Sequence, residues 1–352
     1  MRQACAWQAA GNITAIGFFF GKLVINNNNV PDRWIESLPA GRQGENEMKD
    51  GDSEGKKASP FPAIDRVDVS PMSIAGFKSE RDYVGLGLDL MIETGSYIVI
   101  ATNILGPAGT WSREQAVIGG NMVRLYKLLS AMLDQTVQHR RETSFIFARL
   151  SFETIVAIRY LLQEYDPILV SRYVKHSLDH ERRLLELMDE NIAARGSIIL
   201  PIEERMRRSI DRIFKISGFA LKELPATRER DWGGKNLYEK AEAVGLANAY
   251  RAMFAGASQN VHGAWGDLYA HHLKTEDHGH FTPNIEWNRP RPQLLFSVAI
   301  LSLDTAEGFA KFMGGQEVAD YLSPELDNLR HRIRIADHAH ESYLAGKSWP
   351  ET

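Results

Sequence analysis

The chain has almost no cysteine: Cys5 is the only one among 352 residues. An intramolecular disulfide cannot form, and a zinc site built on several cysteines is excluded. The chain also lacks a large excess of either charge, because it has 41 Lys and Arg residues and 45 Asp and Glu residues, for a formal charge of −4. A protein that coats nucleic acid is normally strongly basic. RNA is therefore a partner that the net charge does not support, although a local basic patch stays open.

Long apolar runs are missing as well. No stretch of about 18 uncharged apolar residues occurs, so we expect neither a membrane span nor a membrane partner. Residues 1–25 have an arginine and an apolar centre, as a signal peptide does, but no small-residue cleavage site follows them. Together with the scarcity of cysteine, this favours a cytoplasmic protein.

Three common catalytic and cofactor motifs are absent from the sequence. It contains no Gly-x-Gly-x-x-Gly, no complete phosphate-loop pattern Gly-x4-Gly-Lys-Ser/Thr and no Gly-x-Ser-x-Gly. Neither a dinucleotide fold, nor a phosphate loop, nor a serine-hydrolase elbow is supported. We therefore expect no cofactor.

The first 79 residues differ in composition from the rest of the chain. Residues 26–79 are rich in Asn, Gly, Pro and charged side chains, and have little apolar surface to bury. Residues 37–44 resemble a repeat-encoded peptide that occurs in unrelated predicted proteins, which leaves open whether residues 1–47 belong to the natural protein. We predict a disordered or spurious extension over residues 1–79.

From Glu80 onward, apolar residues recur with the period of an α-helix, and capping residues or prolines separate the segments. The predicted helices are 80–105, 112–138, 142–163, 167–194, 201–221, 237–245, 246–262, 293–313 and 324–344. Residues 271–292 predict a long ordered loop, and no alternating strand pattern persists. The sequence thus predicts an all-α, multi-helix bundle as one domain over residues 80–345, followed by a tail over 346–352.

The predicted helix 142–163 is apolar on every side, which is typical of a buried helix. It nevertheless carries Arg149 and Glu153, which lie on one face because they are four residues apart. Burying an ion costs several kcal/mol unless it is paired, so we expect the two to be buried together as a pair. The pair either fixes the register of the helix or faces a cleft, where it holds a ligand or acts as an acid and base.

A second polar group lies between Tyr250 and Trp265. Arg251, Ser258 and His262 share one stripe of the predicted helix, beside an apolar stripe that includes Tyr250. His262 either caps the last turn of this helix or joins Arg149 and Glu153 in a polar pocket. The candidate catalytic residues are Arg149, Glu153 and His262, and the candidate binding residues are Tyr250, Arg251, Ser258 and Trp265.

These two segments resemble the motifs of a bacterial family known as domain of unknown function 5677. Residues 149–153, Arg-Leu-Ser-Phe-Glu, with Arg159-Tyr160 following, are similar to its central motif. Residues 250–263 are similar to its second motif, Tyr-x7-Ser-x3-His-Gly. The resemblance covers about residues 82–313. It implies a helical fold with the two motifs close together, and it implies no activity.

Clustered histidines raise the question of a metal site. His176 and His180 are four residues apart, and the loop 271–280 contains four histidines. However, neither Glu-x-x-His nor His-Glu-x-x-His occurs, so we expect histidines at the edge of the core or on a surface loop, and no metal site. A run of arginines over 205–215 is interpreted as a solvated face in preference to an RNA contact.

The sequence does not decide whether the protein is an enzyme. The preferred hypothesis is a binding or interaction module with a buried Arg/Glu/His polar centre, whose partner is an unknown small molecule or protein. The alternative is a metal-independent ribonuclease or defence effector that uses Arg and His. Pairs such as Arg332 and His338 fit the Arg-x4–6-His spacing of helical RNA-cleaving toxins, but chance predicts about as many matches. The oligomeric state stays open.

Overall fold

The structure, a computed structural model, describes residues 61–106, 109–225 and 231–347. Most of the predicted N-terminal extension and of the predicted tail lies outside these residues. Contacts divide the chain into two compact units. Unit 1 is formed by residues 1–110, 129–141 and 289–352, and unit 2 by residues 111–128 and 142–288. The single domain predicted over 80–345 stays a prediction.

The described residues are mostly helical and include only one short β-hairpin, which confirms the all-α prediction. The α-helices are α1 (Pro71–Ile74), α2 (Glu80–Thr102), α3 (Arg113–Val137), α4 (Arg141–Gln163), α5 (Pro167–Ala194), α6 (Pro201–Ser217), α7 (Leu237–Ala243), α8 (Ala247–Ala249), α9 (Gly256–His262), α10 (Trp265–Asp267) and α11 (Pro292–Ala345). Two π-helical turns, Tyr250–Ala255 and Leu268–His272, follow α8 and α10 directly. Short 3₁₀ turns occupy Leu221–Glu223, Trp232–Gly234 and Asp277–Gly279.

The long helices begin and end where the sequence provides caps. α5 begins with Pro167 after Asp166, whose side chain accepts a hydrogen bond from the backbone N–H of Ile168. α6 ends at Ser217, four residues before the predicted end, because Gly218 adopts a left-handed conformation with φ of 75°. The predicted loop 271–292 contains a small antiparallel hairpin, β1 (Leu273–Thr275) and β2 (Phe281–Pro283), with Lys274 opposite Thr282.

Unit 1 is built on the packing of α2 against α11. Both helices are apolar over most of their surface, and their side chains form a core that includes Leu90, Met91, Ile98, Phe296 and Phe309. The two predicted helices 293–313 and 324–344 are parts of α11. Gly315 interrupts the helical backbone between them with φ of 74° and ψ of −171°, a conformation that only glycine adopts readily.

A buried ion pair fastens α11 to α2 within unit 1. Glu93 on α2 is fully buried and accepts hydrogen bonds of 2.5 and 2.7 Å from the two terminal nitrogens of Arg332 on α11. Glu93 also accepts a bond from the backbone N–H of Val67, which fixes residues 61–70 against α2. Arg332 is therefore fully used in holding the fold.

Unit 2 is built around α4, whose buried side chains include Phe152, Ile155, Val156, Ile158 and Leu161. The aromatic ring of Trp232 packs edge-on against Tyr160 of α4 and Tyr173 of α5. Tyr250 contributes the second aromatic contact, with its ring 6.4 Å from that of Phe152. The segment after α7 therefore packs against α4 on the side that carries Arg149.

Two helices, α2 and α11, are long and apolar enough to cross a membrane by length and composition alone. Most of the apolar window of each is buried inside the protein, 72% for α2 and 56% for α11. Core helices pass the same test, so this finding is weak evidence for a membrane span. The expectation of no membrane span stays untested.

Candidate functional site

Three charged residues form a stripe along one face of α4. Glu142, Arg149 and Glu153 are spaced by seven and four residues, which places them on the same face of a helix with 3.6 residues per turn. The segment from α8 to Asn288 lies against this face through contacts with Glu142 and with Arg149. We refer to these three residues as the charged stripe.

Arg149 is the central residue of the charged stripe, and its side chain is only 14% exposed. Two of its nitrogens, Nε and Nη1, are buried and have no hydrogen-bond acceptor among the described residues. Leaving a buried donor without a partner costs about 1–3 kcal/mol, and more for a charged group. The guanidinium therefore has unused capacity to bind a group that accepts hydrogen bonds.

Glu153 pairs with Arg149 only loosely. The closest approach, from Arg149 Nη2 to Glu153 Oε1, is 3.8 Å, which is too long for a hydrogen bond. The expectation of a tightly buried pair is thus wrong in one respect, since the side chain of Glu153 is 34% exposed. Partial burial raises the pKa of the Glu153 carboxyl, and the positive charges of Arg149 and Arg124 oppose that rise only in part.

An aromatic ring covers the other side of the Arg149 guanidinium. The guanidinium carbon lies 4.4 Å from the centroid of the Phe254 ring, a cation–π contact. Phe254 is stacked on Tyr250 at 4.9 Å, and Tyr250 in turn contacts Tyr238 edge-on. Phe254 and Tyr250 belong to the first π-helical turn, Tyr250–Ala255. Such turns interrupt the regular helical pattern and frequently occur at functional sites.

The second π-helical turn holds the N-terminal end of the charged stripe. Its buried His271 has Nδ1 2.7 Å from the side-chain nitrogen of Asn288. The same Asn288 nitrogen donates to Glu142 Oε1 at 3.1 Å, and the backbone N–H of Asn288 donates to that oxygen at 3.3 Å. Glu142 Oε2 is buried without a hydrogen-bond partner among the described residues. This Glu142–Asn288–His271 cluster closes the segment that carries the β-hairpin onto α4.

The structure brings only some of the predicted site residues together. Tyr250 lies next to Arg149 through Phe254, as the fold-back of the second motif predicts. Ser258 Oγ donates to the backbone carbonyl of Phe254 at 2.7 Å, so its hydroxyl supports the helix. Arg251 is exposed, and Trp265 is exposed against Phe281 and Tyr269.

His262 corrects one expectation. It lies in the last turn of α9 with an exposed side chain, a position that fits the alternative of a cap and not that of a buried pocket with Arg149 and Glu153. The reason is positional: His262 is the last residue of α9, and Gly263 ends the helix with φ of 60°. The assignments of Arg149, Glu153 and His262 as catalytic, and of Tyr250, Arg251, Ser258 and Trp265 as binding residues, stay predictions.

The clustered histidines do not come together as a set of metal ligands. His180, His278 and His280 are exposed, and His272 lies 3.4 Å from the buried Asp267. Among the described residues, no group of three or more His, Cys, Asp or Glu side chains is arranged to hold a metal ion.

The fold and the charged stripe together define the class of protein: an all-α protein with an arginine-centred polar site in unit 2. Residues 115–281 match the model of a family of unknown function (DUF5677), the family that the two motifs resemble. The matched range includes the charged stripe and both π-helical turns. No curated protein and no solved structure matches the chain.

Sequence reasoning missed Glu142 and Asn288. Glu142 lies seven residues before Arg149, a spacing that was available as a signal because it repeats the face occupied by Arg149 and Glu153. Asn288 had no such signal, since its partners are 17 and 146 residues away along the chain.

Proposed function

We propose that unit 2 is a binding module that holds a compact anionic group, a carboxylate or a phosphate, on the guanidinium of Arg149. The single observation that carries the proposal is the pair of buried Arg149 nitrogens, Nε and Nη1, without an acceptor among the described residues. The N–H groups of Nε and Nη1 point along different edges of the guanidinium, and each edge is shared with Nη2, so each can donate to an oxygen of a carboxylate or phosphate.

The surroundings of Arg149 support an anion over a cation or a neutral ligand. Glu153 is the only carboxylate with a described ion pair to Arg149. The distance from Glu153 Oε1 to Arg149 Nη2 is 3.8 Å, too long for a hydrogen bond, so the guanidinium has fewer acceptors than donors. Burial already raises the pKa of Glu153, and a bound anion nearby would raise it further. Anion binding is therefore expected to favour the uptake of a proton at Glu153.

Entry of a ligand requires the cover over Arg149 to open. Phe254 belongs to a π-helical turn, whose widened hydrogen-bond pattern is less stable than that of an α-helix. Conversion of Tyr250–Ala255 to regular α-helix would rotate Phe254 away from the guanidinium. Anion binding and a local change at Phe254 are thus coupled in this proposal.

The test measures anion-dependent stabilisation. Inorganic phosphate and acetate are titrated separately into the protein while its thermal unfolding is followed, because a ligand that binds only the folded state raises Tm in proportion to the logarithm of its concentration once that exceeds Kd. At least one of the two should raise Tm of the wild type and not of Arg149→Gln. Arg172→Gln is the matched control, since Arg172 is exposed and has no described partner.

Two outcomes would contradict the proposal. Equal shifts of Tm in the wild type and Arg149→Gln would mean that the anions act on general solvation. The absence of any rise of Tm with either anion in the wild type beyond that of Arg149→Gln would also count against it. Incubation with total cellular RNA checks the ribonuclease alternative, which predicts cleavage by the wild type and its loss in His262→Ala.

The cellular setting is part of the proposal. We infer a cytoplasmic protein from the single cysteine, and an unknown small molecule or protein as the carrier of the anionic group. The RNA alternative has no described support in the contacts of His262 or Arg251, which are both exposed.

A further inference from the structure

Helix α6 presents an unusual amount of apolar side chain to solvent. Ile202, Ile213 and Ile216 are 51%, 40% and 75% exposed, and they lie on one face of the helix because their spacings of 11 and 3 residues fit its period. The residues just before α6, Ile198, Ile199 and Leu200, are exposed as well. Single exposed apolar residues are common, but six within 19 residues of chain form a patch, and such patches mark interaction sites.

A row of arginines borders this apolar stripe. Arg205, Arg208 and Arg212 lie on the adjacent face of α6, and all three are exposed. Arg208 forms an ion pair with Glu204, whereas Arg205 and Arg212 have no partner among the described residues. The row also lines one side of a cavity of about 380 Å³ together with Ser209.

The side of α6 that faces the protein holds the helix in place. Ile210 is buried, and the buried Glu203 is ion-paired with Arg195 and accepts the backbone N–H of Leu200. Arg207 pairs with Asp189 of α5. The helix is therefore docked through its other face, and neither the isoleucine stripe nor the arginine row is needed to hold it in place.

We propose that the isoleucine stripe and arginine row of α6 form a peripheral binding surface for an anionic lipid bilayer. An apolar stripe flanked by arginines is the pattern of a helix that lies in the interface of a membrane, with its isoleucines among the acyl chains and its arginines at the headgroup phosphates. This departs from the sequence expectation of no membrane partner, which considered spanning segments only. The surface is independent of the site at Arg149.

Two other occupants fit the surface less well. RNA would engage the arginines but offers no apolar phase to the isoleucines, and α6 exposes no aromatic ring on which a base could stack. A second copy in an isologous contact would cover the isoleucines but supply no carboxylate at their border. The exposed acids of α6, Glu204 and Asp211, lie beyond the arginine row, away from the stripe.

The experiment is co-sedimentation of the full chain with vesicles. One set is phosphatidylcholine alone and the other contains about a quarter phosphatidylglycerol. We expect binding to the anionic vesicles that weakens as salt is raised, because charge attraction is screened. The triple variant Ile202→Ser/Ile213→Ser/Ile216→Ser and the double variant Arg205→Gln/Arg212→Gln should each lower the partition coefficient about tenfold or more.

Matched controls keep the test specific. Ile285→Ser changes an isoleucine that is 91% exposed elsewhere, and Arg334→Gln removes an exposed arginine of unit 1. Both should bind vesicles as the wild type does, and circular dichroism should show unchanged helicity for every variant.

Three results would overturn the proposal. The first is that the wild type fails to sediment with anionic vesicles, or sediments equally with neutral ones. The second is that the α6 variants bind as the controls do. The third is that, without lipid, the wild type is an oligomer that the triple isoleucine variant dissociates, which would make the stripe a contact between copies of this chain.

Discussion

The guanidinium of Arg149 stacks on the ring of Phe254, with 4.4 Å between the guanidinium carbon and the ring centroid. This contact joins the two family motifs, because Arg149 belongs to the first and Phe254 lies inside the second. It also places a charged group between an aromatic ring and a carboxylate that does not fully neutralise it. The stability of unit 2 and its proposed ligand both depend on this arrangement.

Phe254→Leu tests the energetic value of that stack. Leucine keeps most of the apolar contact but has no π-face, so we expect the free energy of unfolding to fall by about 1–2 kcal/mol. A double-mutant cycle with Arg149→Met, measured by urea denaturation, should give a coupling energy of about 1 kcal/mol. Phe281→Leu, an exposed ring with no described cation over it, serves as the control. A coupling indistinguishable from zero would show that the stack contributes only packing.

Glu153→Gln tests the raised pKa of this carboxyl. Since the pKa is higher in the folded state than in the unfolded chain, the folded protein gains stability on protonation of Glu153. The gain is fully present below the unfolded pKa and is lost as pH rises through the folded one. Urea denaturation should therefore show the wild type improving relative to Glu153→Gln as the pH is lowered from neutral to about 4. A constant difference over this range would contradict the burial effect.

Lys240 predicts a pH dependence of stability opposite in sign to that of Glu153. It is buried with Nζ 3.8 Å from the centroid of the Trp232 ring, and loss of hydration lowers its pKa to about 8. Between about pH 8 and the unfolded value, the unfolded chain holds a proton that the folded protein has lost, so stability rises with pH. Lys240→Met should flatten this rise in a series of urea denaturation curves. Lys222→Met, at an exposed position of unit 2, should leave the slope as it is in the wild type.

The pair Glu93–Arg332 predicts a large and recoverable loss of stability. Removing one partner in Arg332→Met leaves the fully buried Glu93 carboxylate without its main counter-charge, which should cost about 3–5 kcal/mol. Replacing both, as Glu93→Leu/Arg332→Met, should recover much of that loss, because an apolar pair needs no compensation. Chemical denaturation of the two variants and the wild type gives the free energies of unfolding that test this prediction. A double variant no better than the single one would indicate that Val67 depends on Glu93 for its own placement.

The helical fold could be predicted closely because its signals are local. Asp166 and Pro167 set the start of α5 as predicted, whereas α2 ends at Thr102, three residues before the predicted end at 105. The hairpin in residues 271–292 was missed because its strands of three residues are too short to show an alternating pattern. The earlier end of α6 follows from Gly218, whose left-handed conformation is a backbone property.

The sequence by itself determined the helices, the shared face of Arg149 and Glu153, and the match of residues 115–281 to the model of a family of unknown function. Spacing along one helix fixes which side chains share a face, so these features needed no knowledge of distant contacts. Only the tertiary structure decided that Phe254 covers Arg149, that Asn288 binds Glu142, and that His262 is exposed. These contacts depend on the path of the chain between α4 and the later segment that packs against it. The two π-helical turns change which side chains of that segment face α4, and no local sequence pattern predicts such turns.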